Sequence, residues 1–150
     1  MAGILLIAWI PLAVGRYKAN QLRERLAKRR QLLSLLSEMS RSLRLTRRPP
    51  DVILSEAARF CDCSLLIGSE LPTCETVAAH IEDPALESRV AALFHTLRSA
   101  DATGADEAMK ETIAWLSDVV AETEASYDRK APLFTKLGAL FSLFVFILLL

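Results

Sequence analysis

Three cysteines and one histidine are the residues whose types and spacing come closest to a chemical site. Cys61 and Cys63 form a Cys-x-Cys pair, and Cys74 and His80 follow shortly afterwards. Thiolates and imidazoles are preferred zinc ligands, but this spacing matches no standard zinc module. Cysteines of a cytosolic domain are normally reduced and unpaired. We therefore expect three free thiols and no metal or other cofactor, with a zinc protein or enzyme as the alternative.

The remaining acid–base candidates have simpler structural explanations. His95 is isolated, and Glu38 lies among basic residues of an amphipathic helix, where an ion pair is expected. Asp106 and Glu107 fall in the first turn of a predicted helix, where the helix dipole favours carboxylates. The chain contains no Gly-rich phosphate loop, no His-Glu-x-x-His motif and no nucleophile elbow. The sequence therefore predicts a protein that is not an enzyme.

The elements that would position any site begin with two uncharged ends. Ala2–Gly15 and Leu137–Leu150 contain no ionisable side chain. A helix needs ~20 apolar residues to cross a ~30 Å hydrocarbon core, so each stretch is short, at about 21 Å. The second reaches about 27 Å if it starts at Leu133 and Lys136 extends its ammonium group to the interface. We therefore predict that both ends span a membrane.

The charges beside the two apolar ends indicate their orientation. Arg16 and Lys18 follow the first end, and Arg129, Lys130 and Lys136 precede the second. Because the basic residues lie at the end of each segment that joins the central domain, the positive-inside rule places that domain in the cytoplasm. The predicted domains are a first spanning segment, a cytosolic helical domain and a second spanning segment, at residues 1–15, 16–132 and 133–150.

Two alternatives for these ends stay open. The first stretch, which Pro11 is expected to kink, could be a cleaved signal peptide, although no basic residue precedes it and Arg16 follows directly. The second could be a buried core helix or a membrane-surface helix. Its apolar residues surround the whole helix rather than one face, which favours spanning.

Charge is distributed unevenly, although the net charge is zero. From Arg16 to Arg48 there are eleven basic residues, and from Asp51 to Asp128 there are sixteen acidic ones. A basic stretch beside a membrane anchor indicates anionic lipid, with an ordinary solvated helix as the alternative. Nucleic acid is not predicted, because no aromatic residue after Tyr17 interleaves with these bases. The membrane-proximal basic residues are Arg16, Lys18, Arg23, Arg25, Lys28, Arg29, Arg30, Arg129, Lys130 and Lys136.

Apolar periodicity and capping residues predict helices throughout the central domain. Asp51, Thr73 and Asp83 are expected to cap three of them, and Pro132 to form a hinge before the second spanning segment. The predicted helices are Asn20–Leu45, Val52–Cys61, Cys74–Ile81, Pro84–Leu97 and Ala105–Lys130, with connections at Gly68–Thr73 and Arg98–Gly104. The residues expected to face inward are Leu22, Leu26, Leu32, Leu33, Leu35, Leu36, Met39 and Leu43, then Ile53, Ala57 and Phe60, then Leu86, Val90, Leu93, Phe94 and Leu97, and finally Met109, Ile113, Leu116, Val120 and Tyr127.

The predicted fold is all-α, an antiparallel helical bundle flanked by two short terminal membrane-spanning helices. Matching heptad-like patterns suggest that the long first and last helices pack on each other and bring the two anchors side by side.

The whole chain resembles the stage III sporulation protein AB family of endospore-forming bacteria. The apolar end that leads into Gly15-Arg16-Tyr17 is similar to the family's opening, and Gly104-Ala105-Asp106 to the turn before its last helix. The C-terminal end carries the most specific likeness. The further motifs are Leu22-Arg23-Glu24-Arg25-Leu26, Leu32-Leu33-x-Leu35-Leu36-Ser37-Glu38-Met39, Tyr127-Asp128-x-Lys130 and Leu133-Phe134-x-x-Leu137-Gly138.

This resemblance implies a setting and a set of partners. The family belongs to the channel complex that links mother cell and forespore, and its cytosolic domain is similar to that of the type II secretion platform protein. It implies a non-enzymatic membrane adaptor on the mother-cell side of the forespore envelope. The expected neighbours are a cytosolic secretion-type ATPase and other integral-membrane subunits. The residues that such an adaptor is expected to use for contact with a partner are Pro49, Pro50, Asp51, Glu70, Glu75, Glu82, Asp83 and Glu87. The alternative function is a membrane-surface module that binds anionic lipid through its basic helix.

Overall fold

The computed structural model describes residues 2–46, 48–64 and 72–148, with side chains from Trp9 onward. These residues are helical apart from short connections and contain no β-strand, which confirms the all-α prediction. The helices are α1 (Ala2–Leu45), α2 (Pro50–Phe60), α3 (Cys74–Ala79), α4 (Pro84–Ser99) and α5 (Ala102–Leu148).

Proline does not interrupt either long helix. Pro11 lies inside α1 and Pro132 inside α5, and both helices continue past them. A proline removes one backbone donor, but the remaining i→i−4 hydrogen bonds can hold the helix together. The predicted hinge at Pro132 is therefore not a break between helices, and α1 joins the apolar N-terminal stretch to the predicted helix at Asn20–Leu45 without a gap.

The start of α5 differs from the prediction because Asp101 caps it. Its carboxylate accepts a hydrogen bond from the backbone amide of Gly104 at 3.0 Å, and its carbonyl accepts one from the amide of Ala105, also at 3.0 Å. Aspartate at this position satisfies amides that have no partner inside the helix. The predicted connection Arg98–Gly104 is therefore wrong, since only Ala100 and Asp101 separate α4 from α5.

The predicted cap of α2 is also wrong. Pro49 is the N-cap residue and Pro50 the first helical residue, and the Pro49 carbonyl accepts hydrogen bonds from the amides of Val52 and Ile53. The backbone N–H of the first helical residue has no partner inside the helix, so a proline at this position loses no hydrogen bond. Its ring also fixes φ at a helical value. Asp51 therefore lies inside the helix, and its carboxylate bonds elsewhere.

The other two predicted caps are confirmed. Thr73 caps α3 through a reciprocal pair of hydrogen bonds with Thr76, in which each side chain accepts from the backbone amide of the other residue. Asp83 caps α4, and its carboxylate accepts a hydrogen bond from the Ala85 amide at 3.1 Å. Pro84 follows at the first helical position, as the sequence predicts.

The chain divides into two compact units. One consists of Met1–Leu26 with Ala121–Leu150, and the other of Ala27–Val120. These bounds differ from the predicted domain limits at residues 15 and 132. The predicted limits concern where the chain enters a membrane, which contacts within the protein do not test, so they stay predictions.

The core of the Ala27–Val120 unit is built from the predicted apolar faces. All five predicted residues of α4 are buried, whereas Leu33 and Leu43 of α1 are only half-buried. Phe60 was predicted to face inward, but it ends α2 and is 81 % exposed. Periodicity identifies the inner face of a helix but not whether a neighbour reaches its last turn. The largest fully buried side chains are Leu32, Leu35, Leu36, Met39, Ile53, Leu54, Cys74, Val77, Val90, Met109 and Leu116.

Candidate membrane anchor and charged surfaces

The C-terminal part of α5 has an apolar surface that no described residue covers. Among the described residues, α5 is the one helix long and apolar enough to cross a membrane, judged by length and composition. Phe144 is 60 % exposed, and most of its large apolar neighbours are exposed as well. Exposed apolar surface on this scale marks an interaction site. The exposed residues are Leu133, Leu137, Leu140, Phe141, Leu143, Phe144, Phe146, Ile147 and Leu148.

This apolar surface includes the N-terminal helix. Trp9, Ile10 and Val14 of α1 are exposed, in the same compact unit as the end of α5. Whether the N-terminal end spans a membrane stays a prediction.

Two glycines hold these helix ends in backbone contact. A Cβ atom added to Gly15 would lie 2.6 Å from the carbonyl oxygen of Phe134, and one added to Gly138 would lie 2.8 Å from the carbonyl oxygen of Pro11. No real Cβ atom approaches an oxygen so closely, so each position requires glycine or a shift of the backbone. Small residues that let two helices approach are the usual interface of membrane-spanning pairs. Gly15 and Gly138 therefore bring the apolar ends of α1 and α5 into contact in this unit.

The bases beside the apolar ends point outward. Arg16, Lys18, Arg23 and Arg25 of α1 are exposed, and so are the bases of α5 in the same unit, Arg129, Lys130 and Lys136. Acidic residues are fewer in the two described segments of this unit, namely Glu24, Glu122, Glu124 and Asp128. The surface beside the apolar helices is therefore positively charged and available to an anionic ligand.

Two of the predicted membrane-proximal bases instead bind carboxylates of the chain itself. Lys28 Nζ lies 2.5 Å from Glu82 Oε1, and Arg29 Nη2 lies 2.9 Å from Asp83 Oδ2. Both basic side chains are partly buried. These pairs connect α1 to the segment that starts α4, and they occupy two of the predicted partner-contact residues. Arg30, the last of the predicted bases on this stretch of α1, is exposed.

Asp51, another predicted contact residue, connects three helices. Its Oδ1 accepts a hydrogen bond from the Cys74 amide at 3.2 Å, and its Oδ2 accepts one from Arg98 Nη2 at 3.4 Å. Hydrogen bonds from the Cys74 thiol and amide, with the Arg98 charge, lower the pKa of Asp51. The carboxylate is thus a structural link between α2, α3 and α4.

The remaining contact candidates lie nearer the solvent. Glu75 is exposed and lies 3.9 Å from Arg98, and Glu87 is exposed with no ion pair to a described residue. Pro49 is exposed and Pro50 half-buried at the start of α2. Glu70 lies outside the described residues. Their predicted role in contacting a partner stays a prediction.

Cys63 and Cys74 are buried thiols. Burial raises the pKa of Cys63 to about 11 and that of Cys74 to about 12. Cys61 is half-buried, with its sulfur 3.5 Å from the Ser34 hydroxyl. Within residues 2–46, 48–64 and 72–148, no group of three or more His, Cys, Asp or Glu side chains is placed to hold a metal ion.

The structure adds residues that the sequence reasoning passed over. The sequence motifs contain Gly15 and Gly138 but do not predict their contacts, although a glycine inside an apolar helix is a known signal of close helix packing. Arg89 lies 4.6 Å from the ring centroid of Trp115 and 3.0 Å from Glu111, which joins α4 to α5. No sequence signal identifies that pairing, because the partners are far apart along the chain.

In comparisons with known proteins, no family model, no curated protein and no solved structure matches this chain.

Proposed function

We propose that this protein is a non-enzymatic integral-membrane adaptor. The apolar ends of α1 and α5 hold a helical domain at the cytosolic face of the membrane, and that domain docks a soluble partner. The observation that supports it best is the exposed apolar end of α5, in backbone contact with α1 through Gly15 and Gly138. In water such a surface is unfavourable, whereas in lipid it is the expected exterior of a helix pair.

The antiparallel bundle is part of the same proposal. Arg44 near the end of α1 pairs with Asp106 near the start of α5, and Arg89 of α4 pairs with Glu111 of α5. With the pair between Arg29 and Asp83, these contacts favour a domain whose surfaces keep a fixed shape. The mechanism is positional, since such a domain keeps a docking surface at the membrane.

The resemblance to the stage III sporulation protein AB family specifies the setting of this proposal. The adaptor would belong to the channel complex between mother cell and forespore, on the mother-cell side of the forespore envelope. Its partners would be a secretion-type ATPase in the cytosol and other integral-membrane subunits. The basic residues exposed beside the apolar helices agree with a domain on the cytosolic side.

The membrane part is tested by extraction of cell membranes at alkaline pH. The chain should stay in the pellet, and a variant with Leu140→Arg and Leu143→Arg should move to the supernatant, because each arginine at mid-membrane costs about 3 kcal/mol. Leu45→Arg is the matched control, since Leu45 is an exposed leucine of the other unit. Full-length protein that stays soluble in a detergent-free lysate would contradict the proposal.

The docking part is tested by co-purification. Full-length protein, extracted with mild detergent from sporulating cells, should retain the ATPase that is produced with it. If the ATPase is lost in every one of several detergents while the adaptor itself stays intact, the result would count against this partner. It would not affect the conclusion on membrane anchoring.

A lipid-binding module is the second candidate, and the exposed bases of the Met1–Leu26 and Ala121–Leu150 unit favour it. In that case the Leu140→Arg and Leu143→Arg variant should still float with anionic vesicles at low salt and dissociate as salt is raised. An adaptor held only by apolar helices would show no difference between anionic and neutral vesicles.

A further inference from the structure

A groove runs between α1 and α5 in the Ala27–Val120 unit, and nothing in the described part of the chain fills it. From α1 it is lined by Ser40, Arg41 and Arg44, and from α5 by Lys110, Ile113 and Ala114. On each helix the lining residues recur at intervals of three and four positions, which is one face of a helix. The groove thus follows the two helices for about two turns, or 10 Å.

The middle of the groove is lined by small side chains, and one of them, Ser40, is polar. Ser40 is only 8 % exposed and lines the groove from α1. The hydroxyl of Ser37, one turn earlier, donates a hydrogen bond to the Leu33 carbonyl at 2.7 Å.

The C-terminal end of the groove on α1 is positively charged. Arg44 Nε lies 3.0 Å from Asp106 and Lys110 Nζ lies 2.6 Å from the same carboxylate, so two cations share one anion. Arg41 is exposed and forms no ion pair with a described residue. Three positive charges against one negative charge favour an acidic occupant.

Leu45 and Ile113 add apolar surface to this end. An apolar strip beside bases, two helical turns long and open to solvent, is the surface that an amphipathic helix fills. A small free anion would use the bases but neither the apolar residues nor the length of the groove.

We propose that the groove binds an acidic amphipathic helix of a partner protein. The helix places a small residue against Ser40 and Ala114, an apolar residue against Ile113, and carboxylates against Arg41 and Arg44. This rests on the proposed function, because the helix belongs to the soluble component that the adaptor docks.

The test uses the full chain in nanodiscs of neutral lipid and three fluorescent peptides. One is a helical peptide with Glu and Leu on adjoining faces, the second has the same composition in scrambled order, and the third carries Lys in place of Glu. The first should bind measurably below about 1 mM, and the others at least tenfold more weakly. Failure of the first peptide to bind up to that concentration overturns the proposal.

Variants locate the binding. Arg41→Ala should weaken binding at least fivefold, whereas Arg59→Ala, which removes an exposed base of α2, should leave it unchanged. Ala114→Arg, at an exposed position, should block the groove, with circular dichroism to verify that the helices remain. Equal effects of Arg41→Ala and Arg59→Ala would overturn the proposal.

Two further outcomes would identify a different occupant of the groove and would therefore overturn the proposal. Competition by inorganic phosphate at low millimolar concentration would show an anion site, and a change of oligomeric state in Ala114→Arg would show a second copy of the chain. Alkaline extraction of the same variants tests their membrane anchoring separately from peptide binding. Variants that stay in the pellet but do not bind peptide leave the anchor intact, so the two proposals fail independently.

Discussion

The carboxylate of Asp51 accepts a hydrogen bond from the backbone amide of Cys74, at 3.2 Å, and so joins α2 to the first residue of α3. Arg98 of α4 contacts the same carboxylate from another direction. A residue that the sequence presents as a surface contact is therefore an internal link.

Replacement of Asp51 should destabilise the fold. Asp51→Ala removes the acceptor for the Cys74 amide and the partner of Arg98, and we expect the free energy of unfolding to fall by about 1–2 kcal/mol. Urea unfolding followed by circular dichroism in detergent measures it. Glu87→Ala, an exposed carboxylate of α4 without an ion pair, should change stability by less than about 0.5 kcal/mol. Equal losses in the two variants would show that Asp51 is not a link.

Stability should fall at acid pH. The Cys74 hydrogen bonds lower the pKa of Asp51, and the Lys110 and Arg44 contacts lower that of Asp106. A carboxylate with a lowered pKa in the folded state stabilises the protein above its unfolded value near 3.8, and this stabilisation is lost as pH falls through the folded value. The free energy of unfolding should therefore decrease from about pH 5 downward. The decrease should be shallower in Asp51→Asn, and an unchanged slope would contradict the assignment.

The three thiols should react at different rates. Burial raises the pKa of Cys63 to about 11 and that of Cys74 to about 12, so few thiolates form at neutral pH. A maleimide should label Cys61 first, and the other two only after addition of denaturant. Mass spectrometry of labelled peptides gives the rates. Rapid labelling of Cys74 in the folded protein would contradict its burial.

A larger residue at either glycine contact should separate the helix ends. Gly15→Val or Gly138→Val places carbon atoms within 3 Å of a backbone oxygen, so the backbones must move apart. We expect a lower midpoint of thermal unfolding in nanodiscs for both variants. Ala139→Val is the control, since Ala139 is exposed beside Gly138. Equal midpoints for Gly138→Val and Ala139→Val would exclude a close contact.

The predicted basic residues should divide into two groups. In nanodiscs, anionic lipid should raise the thermal midpoint of the wild type, and this gain should shrink when Arg16, Lys18, Arg129 and Lys130 are replaced by Gln, because each base contributes about 1 kcal/mol near an anionic surface. Replacement of Lys28 and Arg29 should lower the midpoint equally in neutral and anionic lipid, since their partners are Glu82 and Asp83. A lipid-dependent effect of the second pair would contradict this division.

Local chemistry could be predicted from the sequence more fully than long-range pairing. The caps at Thr73 and Asp83 and the buried face of α4 follow from residues within a few positions of each other. The start of α5 was missed because Asp101 competes with Gly104 as a boundary signal, and its side chain caps a helix that contains the glycine.

The roles of the charged residues could not be predicted in this way. Whether Glu82 faces a partner or Lys28 depends on the approach of two segments far apart in sequence. The same is true of Gly15 and Gly138, whose contact needs both helix ends to be placed first.

The contact through Gly15 and Gly138 has a thermodynamic consequence for assembly in a bilayer. Lipid chains are as apolar as leucine, so in the proposed membrane arrangement no hydrophobic force drives these two helix ends together. Glycine has no rotamers to lose when it becomes buried, so this association immobilises no side chain at the crossing point. The entropic penalty of pairing is therefore small, and dispersion forces between the two backbones can maintain the contact between the helix ends.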